Sequence, residues 1–269
     1  MSQDSQTPIV DTPQVITFPT AMPRTFGKGC RVLLLGATSG IARSLVHEFA
    51  RRGFELILAG RDLDEMETIA ADSRVRYGTV SQILPFSALD YSSHSAFWAS
   101  CGEVDGVVVC FGVMPPQDQA ETDWEVCREM LEGNYNSCVS ILNLVAASFQ
   151  ARKRGFIAVV SSVAGDRARR GNYLYASAKS GVSAYAEGLR ARLYPHSVSV
   201  TTIKPGPVDT GMTWGAKKLP LLAPPEKVAS DIYRGIRRKT DVVYTPAPWR
   251  LLMAVLRNIP SFVWKRLDF

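Results

Sequence analysis

Tyr175 and Lys179 stand four residues apart in Tyr175-Ala176-Ser177-Ala178-Lys179, and Ser162 lies thirteen residues before Tyr175. On a helix, positions i and i+4 share a face, with Cβ atoms about 5–6 Å apart. The spacing therefore sets an ammonium beside a phenol. A positive charge favours the phenolate form of such a group. A tyrosine in that setting can donate or accept a proton at neutral pH. Tyr and Lys are also ordinary helix-surface residues, so the pair gains meaning only with a partner serine and a bound reactant.

A second segment could hold that reactant. Gly36-Ala37-Thr38-Ser39-Gly40-Ile41-Ala42 follows an apolar run and opens a helical pattern. Glycine permits a tight turn and close backbone approach, and a helix N-terminus favours a phosphate. The spacing is G-x-x-x-G-x-A, so the commoner dinucleotide fingerprint is not matched. The segment reads either as a phosphate-binding turn or as a plain strand-to-helix connection.

The elements that must position these residues alternate. Arg31–Leu35 reads as a buried strand, with a helix over 41–52 after it. Phe54–Ala59 is a second strand, followed by a polar helix over 63–72, and Gln82–Phe86 a third. A fourth lies within 104–111, around Val107-Val108-Val109, and two helices fill 123–153. Phe156–Val160 is a fifth strand that ends at Ser161-Ser162, before a long helix over 173–193. Val198–Ile203 is a sixth, stopped by Lys204-Pro205-Gly206-Pro207, and a helix over 225–238 precedes a short strand, Val242–Tyr244. Apolar strands alternating with helices predict an α/β fold with a parallel sheet covered on both faces.

Composition narrows the class. The 269 residues are 46% hydrophobic and 21% charged, which suits a globular α/β chain. Residues 1–24 read as a flexible tail, 25–246 as the catalytic domain and 247–269 as a basic amphipathic extension. The five cysteines include no C-x-x-C pair, and the three histidines are scattered. We therefore expect no disulfide framework, no metal site and a reducing compartment. The N-terminus lacks the pattern of a secretory signal, and no apolar run reaches the ~18 residues of a membrane span. The expected location is cytoplasmic, with the inner face of a membrane as an alternative. Most of the net +6 lies between Glu226 and Phe269, where nine Lys or Arg meet four Asp or Glu. That excess is mixed with large aliphatics and lacks a nucleic-acid motif, so nucleic-acid binding is not expected.

The glycine turn, Ser162, Tyr175, Lys179 and Pro205-Gly206-Pro207-Val208-Asp209-Thr210 occur in the order seen in short-chain dehydrogenases/reductases, which the chain resembles from about Arg31 to Tyr244. The resemblance implies a single Rossmann-type doubly wound sheet, a nicotinamide cofactor and homo-oligomers. It makes Tyr175 the proton donor, Lys179 its activator and a ribose ligand, and Ser162, rather than Ser161, the partner of the substrate oxygen. Asn134, or less favourably Asn136, would hold a relay water; a helix-capping or buried amide is the alternative. Gly36, Thr38, Ser39, Gly40, Ile41, Asp90, Gly112, Pro205, Gly206, Val208 and Thr210 would contact the cofactor. Two departures stand out: Val109-Cys110-Phe111-Gly112 replaces the usual Asn-Asn-Ala-Gly, and Ala42 replaces the last glycine of the turn. Arg61 follows the second strand, with no acid between Ile57 and Gly60. A guanidinium there suits a 2′-phosphate, which favours NADP(H) over NAD(H), with Arg43 as a weaker assistant.

Asp166-Arg167-Ala168-Arg169-Arg170 lies between Ser162 and Tyr175. Arg167, Arg169 and Arg170 form either a solvated loop or a site for a substrate phosphate. The tail, Trp249–Leu267, mixes tryptophans, aliphatics and cations around Pro260. It either packs on the domain or a second subunit, or lies at a membrane interface. Ser161–Arg170 and Ala247–Pro260 are similar to decaprenylphosphoryl 2-keto-pentose reductases. That branch implies a keto-sugar on a polyprenyl phosphate, supplied by a flavin oxidase. A soluble ketone, steroid or acyl thioester is the alternative substrate, and a non-catalytic cofactor-binding subunit the alternative class.

Overall fold

Seven apolar segments pair into one parallel sheet: β1 (Arg31–Leu35), β2 (Glu55–Gly60), β3 (Ser81–Pro85), β4 (Gly106–Val109), β5 (Phe156–Val160), β6 (Ser199–Pro205) and β7 (Val242–Thr245), in the order β3-β2-β1-β4-β5-β6-β7. The computed structural model describes residues 26–215 and 219–267, so the tail expected over 1–24 lies outside the described residues. The helices are α1 (Gly40–Ala50), α2 (Leu63–Tyr77), α3 (His94–Ser100), α4 (Gln117–Thr122), α5 (Trp124–Leu131), α6 (Ser137–Arg152), α7 (Tyr173–Leu193), α8 (Pro225–Arg237), α9 (Pro248–Arg257) and α10 (Ser261–Trp264).

Alternate residues of each strand feed two separate cores. Val32 and Leu34 of β1, with Leu56 and Leu58 of β2, face Leu45, Val46 and Phe49 of α1 and Ile232 and Ile236 of α8. Leu33, Leu35, Ile57 and Ala59 face the other way, toward Ile141, Val145 and Phe149 of α6 and Val182, Ala186 and Leu189 of α7. Burial on both faces explains why the strands read as continuous apolar runs rather than as alternating ones. The expected Rossmann-type sheet is therefore the observed fold.

Boundaries moved where capping decides them. Asp62 caps α2 by accepting from the Glu65 amide, and Gly78, at φ 69°, closes it, so this helix outruns the 63–72 read from polarity. β6 continues through Lys204 and Pro205, which pair in register with Tyr244 and Thr245 of β7. Between α5 and α6 the chain makes one π turn over Glu132–Asn136.

Strand order reverses between β1 and β4. In such sheets the crevice beyond the carboxyl ends of the strands is the binding site. Here the crevice receives the turn after β1, Cys110-Phe111-Gly112 after β4, Ser161-Ser162 after β5 and Pro205-Gly206 after β6.

Candidate active site

The β1–α1 turn is shaped by exclusion. Gly36 sits at φ +80°, and a Cβ there would lie 2.7 Å from the Phe111 amide nitrogen. Ser39 accepts from the Ala42 amide and caps α1, leaving the helix N-terminus open to the crevice. The segment after β6 reaches across to it: the Thr210 methyl is 2.5 Å from where a Gly40 Cβ would be.

Two adjoining cavities fill the crevice. The larger, of about 660 Å³, is walled by Thr38, Ser39, Gly40 and Ile41 on one side and by Ser162, Tyr175 and Lys179 on the other, with Gly112, Pro205, Gly206, Val208 and Thr210 between them. Its charged lining residues are Arg43, Arg169 and Lys179, with no carboxylate among the described residues. The second, of about 310 Å³, shares Thr38, Ser39, Phe111 and Gly112 with the first and adds Gly36, Arg61 and Glu129.

The first turns of α7 carry the Tyr–Lys pair as the spacing required. The Lys179 ammonium lies 5.7 Å from the Tyr175 ring centroid and donates to the Val160 carbonyl at 3.1 Å. That bond ties α7 to the end of β5. The two neighbouring serines have opposite fates. Ser161 is 2% exposed, and its Oγ donates to the Lys179 carbonyl at 2.8 Å. Ser162 is half-buried and caps the following turn by accepting from the Ala164 amide at 3.1 Å.

Asn134 sits behind the cavity wall, fully buried within the π turn. Its Nδ2 donates to the carbonyls of Val113 and Met130, at 2.7 and 2.8 Å. Its Oδ1 has no hydrogen-bond partner among the described residues and lies 2.6 Å from where a Gly112 Cβ would be. A buried acceptor without a donor costs free energy, and π turns of this kind recur at functional sites. Asn136, the alternative, is exposed.

Four candidates do not line either cavity. Asp90 is exposed, and the Ser92 hydroxyl donates to its carboxylate and holds it below the usual range. Arg167 turns toward the chain's C-terminal segment, donating to the carbonyls of Arg257 and Ile259. Arg170 lines a separate small cavity with Trp264 and Lys265. Asn134, as above, is the fourth. Of the three arginines expected around a substrate phosphate, only Arg169 therefore faces the reacting centre. Arg43, read as an assistant to Arg61, is already paired with Glu65 at 2.7 Å.

The sequence reading missed Asn172, which lines the cavity one residue ahead of α7. It also missed the partners of Asp166. Lys204 and the Tyr244 hydroxyl both donate to this carboxylate, across 38 and 78 positions of sequence. Burial, then the bond to Asp166, pushes the Tyr244 phenol up to about 12. Burial likewise pushes the Cys110 thiol to about 12, so this cavity-lining cysteine stays protonated near pH 7 and is no nucleophile.

A doubly wound parallel sheet with a glycine turn at its switch point and Ser, Tyr and Lys on the facing wall defines a class of nucleotide-dependent oxidoreductases. Comparison with known proteins agrees. Residues 31–219 match the short chain dehydrogenase family model. An uncharacterised oxidoreductase of Mycobacterium tuberculosis is 34% identical over 240 residues, covering 88% of this chain and 96% of that one. A short-chain dehydrogenase from Sphingobium yanoikuyae in complex with NADPH superposes with a TM-score of 0.74 at 22% identity, over 86% of this chain and 97% of its own. A 3-oxoacyl-[acyl-carrier protein] reductase from Brucella melitensis with bound NAD gives 0.70 at 22% identity, over 81% and 90%. The chain belongs to the short-chain dehydrogenase family and is an oxidoreductase.

Proposed function

We propose that the protein uses NADPH to reduce the keto group of an anionic substrate, with Tyr175 as proton donor. The observation that carries this reading is the lining of the larger cavity. Tyr175, Lys179 and Ser162 face the glycine turn across a space bearing Arg169 and no carboxylate. The residues fit a nicotinamide dinucleotide. The Gly36–Ile41 turn would hold its pyrophosphate, Lys179 a ribose and Thr210 the carboxamide. A reduced nicotinamide bound there supplies a hydride to the carbonyl carbon. Tyr175 gives its proton to the carbonyl oxygen, Ser162 donates to that oxygen, and Lys179 stabilises the charge left on the phenol. We assign to the Asn134 Oδ1, buried without a donor, the holding of a water that returns a proton to Tyr175.

Arg61 supports a 2′-phosphate. It lines the smaller cavity, while the acid beside it, Asp62, is engaged in capping α2. The finer reading is a keto-sugar carried on a polyprenyl phosphate, with Arg169 as the phosphate contact. The outer surface of the C-terminal segment supports a lipid surface nearby. Leu251 is 74% and Phe262 61% exposed there. Arg250, Arg257, Lys265 and Arg266 accompany them with no acid between Pro248 and Leu267. Among the described residues no helix is long and apolar enough to cross a membrane, so this would be surface contact at the cytoplasmic face. A flavin oxidase that supplies the ketone, and assembly as a homo-oligomer, rest on the family resemblance alone.

A second reading is a soluble apolar ketone or acyl thioester, favoured by Met114, Met212 and Leu219 in the same lining. The deciding experiment follows NADPH oxidation with three probes: a polyprenyl-phosphate-linked 2-keto-pentose, the free keto-pentose and a 3-oxoacyl thioester. Fastest turnover of the first supports the proposal, and turnover of the thioester alone overturns it. Tyr175→Phe should lower kcat by about 10²–10⁴ while NADPH still binds. Turnover near the parent rate by that variant would refute the proton-donor assignment.

A further inference from the structure

We infer that the C-terminal segment, α9 and α10, is a working part of the substrate site, and that Arg167 is the latch by which it fixes the loop leading to Tyr175. This rests on the reading of the larger cavity as the ketone site. The loop in question lies within residues 161–172, which connect the end of β5 to α7.

The last carbonyls of a helix lack intrahelical donors. Arg167 supplies one at the end of α9, with Nη1 3.4 Å from the Arg257 carbonyl, and Nη2 donates at 3.0 Å to the carbonyl of Ile259, two residues past the helix. The same guanidinium lies 4.8 Å over the Trp264 ring, and Trp264 Nε1 donates back to the Ala168 carbonyl at 2.9 Å. One planar side chain thus joins two carbonyls and an aromatic face, a set that arginine alone among the cations can satisfy. The segment is seated at its other end as well. Trp249 is 6% exposed, packs on Val163, and occupies the space of a Gly206 Cβ, its Nε1 only 2.0 Å from that point. The loop is held from the opposite side by the Asp166 bonds to Lys204 and Tyr244. Arg169, the residue after the tethered Ala168, lines the larger cavity.

These contacts add little to the main core. In α9 and α10 only Trp249 and Met253 are buried, and their cluster is separate from the two that flank the sheet. The latch can therefore open while the sheet and the glycine turn stay intact. Its consequence falls on the placement of Arg169, not on the cofactor side.

The test uses the full chain with Arg167→Ala, Arg167→Lys and Trp264→Phe. Hydrogen–deuterium exchange needs no substrate and decides the latch itself. In Arg167→Ala, amides over 163–172 and 257–264 should exchange about tenfold faster, with those of β1 and α1 unchanged. Arg167→Lys, which can reach one carbonyl but not bridge two, should fall between, as should Trp264→Phe, which keeps the ring and loses the donor. With the polyprenyl-phosphate-linked 2-keto-pentose as probe, Arg167→Ala should raise KM by about tenfold, with kcat within about threefold and the NADPH Kd within about twofold. Unchanged loop exchange, or faster exchange spread evenly over the sheet, would overturn the inference. If neither protein turns the probe over, the ketone reading fails and the exchange data still decide the latch.

Discussion

On the cofactor side of the crevice, contacts run between segments that adjoin the sheet: Ser39 caps its own helix, Gly36 abuts Phe111, and Thr210 abuts Gly40. On the substrate side they come from far along the chain. Asp166 is held by Lys204 and Tyr244, Arg167 by Arg257 and Ile259, and Ala168 by Trp264. The first side is built from small residues that leave no room for an added atom. The second is built from polar tethers: a buried Asp166–Lys204 pair, with the half-buried side chains of Tyr244, Arg167 and Trp264 around it. A reaction common to many substrates needs one cofactor geometry, and close packing supplies it. A substrate that differs between relatives needs a wall that can change without disturbing the core, and tethers outside the core supply that.

The comparison predicts unequal responses to mutation. Gly36→Val adds a side chain at positive φ against the Phe111 backbone. Backbone strain of about 1–2 kcal/mol and overpacking of about 1–3 kcal/mol together predict a loss of about 4 kcal/mol in urea unfolding, with NADPH binding abolished. Retention of either property at the parent level would show that the cofactor side is not closely packed. Asp166→Asn leaves Lys204 without its counter-charge, with only 11% of that side chain exposed. Breaking a buried pair in this way should cost about 3 kcal/mol, measured by the same unfolding, and loosen the loop. A loss as large as that of Gly36→Val would mean that the tethers belong to the core after all.

The same division decided what could be read from the sequence. Tyr175, Lys179, the glycine turn and the strands are local patterns, set by helix spacing and by runs such as Val107–Val109, and the structure has them in the expected places. The arginine loop was legible as charge but not as geometry. Nothing in Asp166–Arg170 tells that Arg167 faces a helix end ninety residues later while Arg169 faces the cavity. The extension was legible as amphipathic, yet which face meets the domain follows from Trp249 fitting against Gly206, a contact between distant segments. Asn134 was readable as a candidate, whereas the π turn that buries its amide was not.

A smaller effect sharpens the cofactor side. Arg61 lines the smaller cavity without being part of the packed turn, so Arg61→Ala should leave stability unchanged. A charge-assisted bond to a 2′-phosphate predicts a rise of about tenfold in the Kd for NADPH and none for NADH. Equal changes for the two cofactors, read by fluorescence titration, would remove the basis for preferring NADPH.

The smallest effect is expected on the outer face of α9. Leu251 is 74% exposed and stands two residues from each of the buried Trp249 and Met253, a spacing that turns it to the opposite face of the helix. Leu251→Ser should therefore change unfolding free energy by less than about 0.5 kcal/mol and leave loop exchange as in the parent. If that face meets an anionic bilayer, cosedimentation with phosphatidylglycerol vesicles should fall in this variant, and in Phe262→Ser, while neutral phosphatidylcholine vesicles retain neither protein. The attraction joins apolar contact to the four cations of the segment, so raised salt should weaken it further. Equal retention of parent and variants would assign the outer face to solvent, and leave the latch on the inner face as the segment's role.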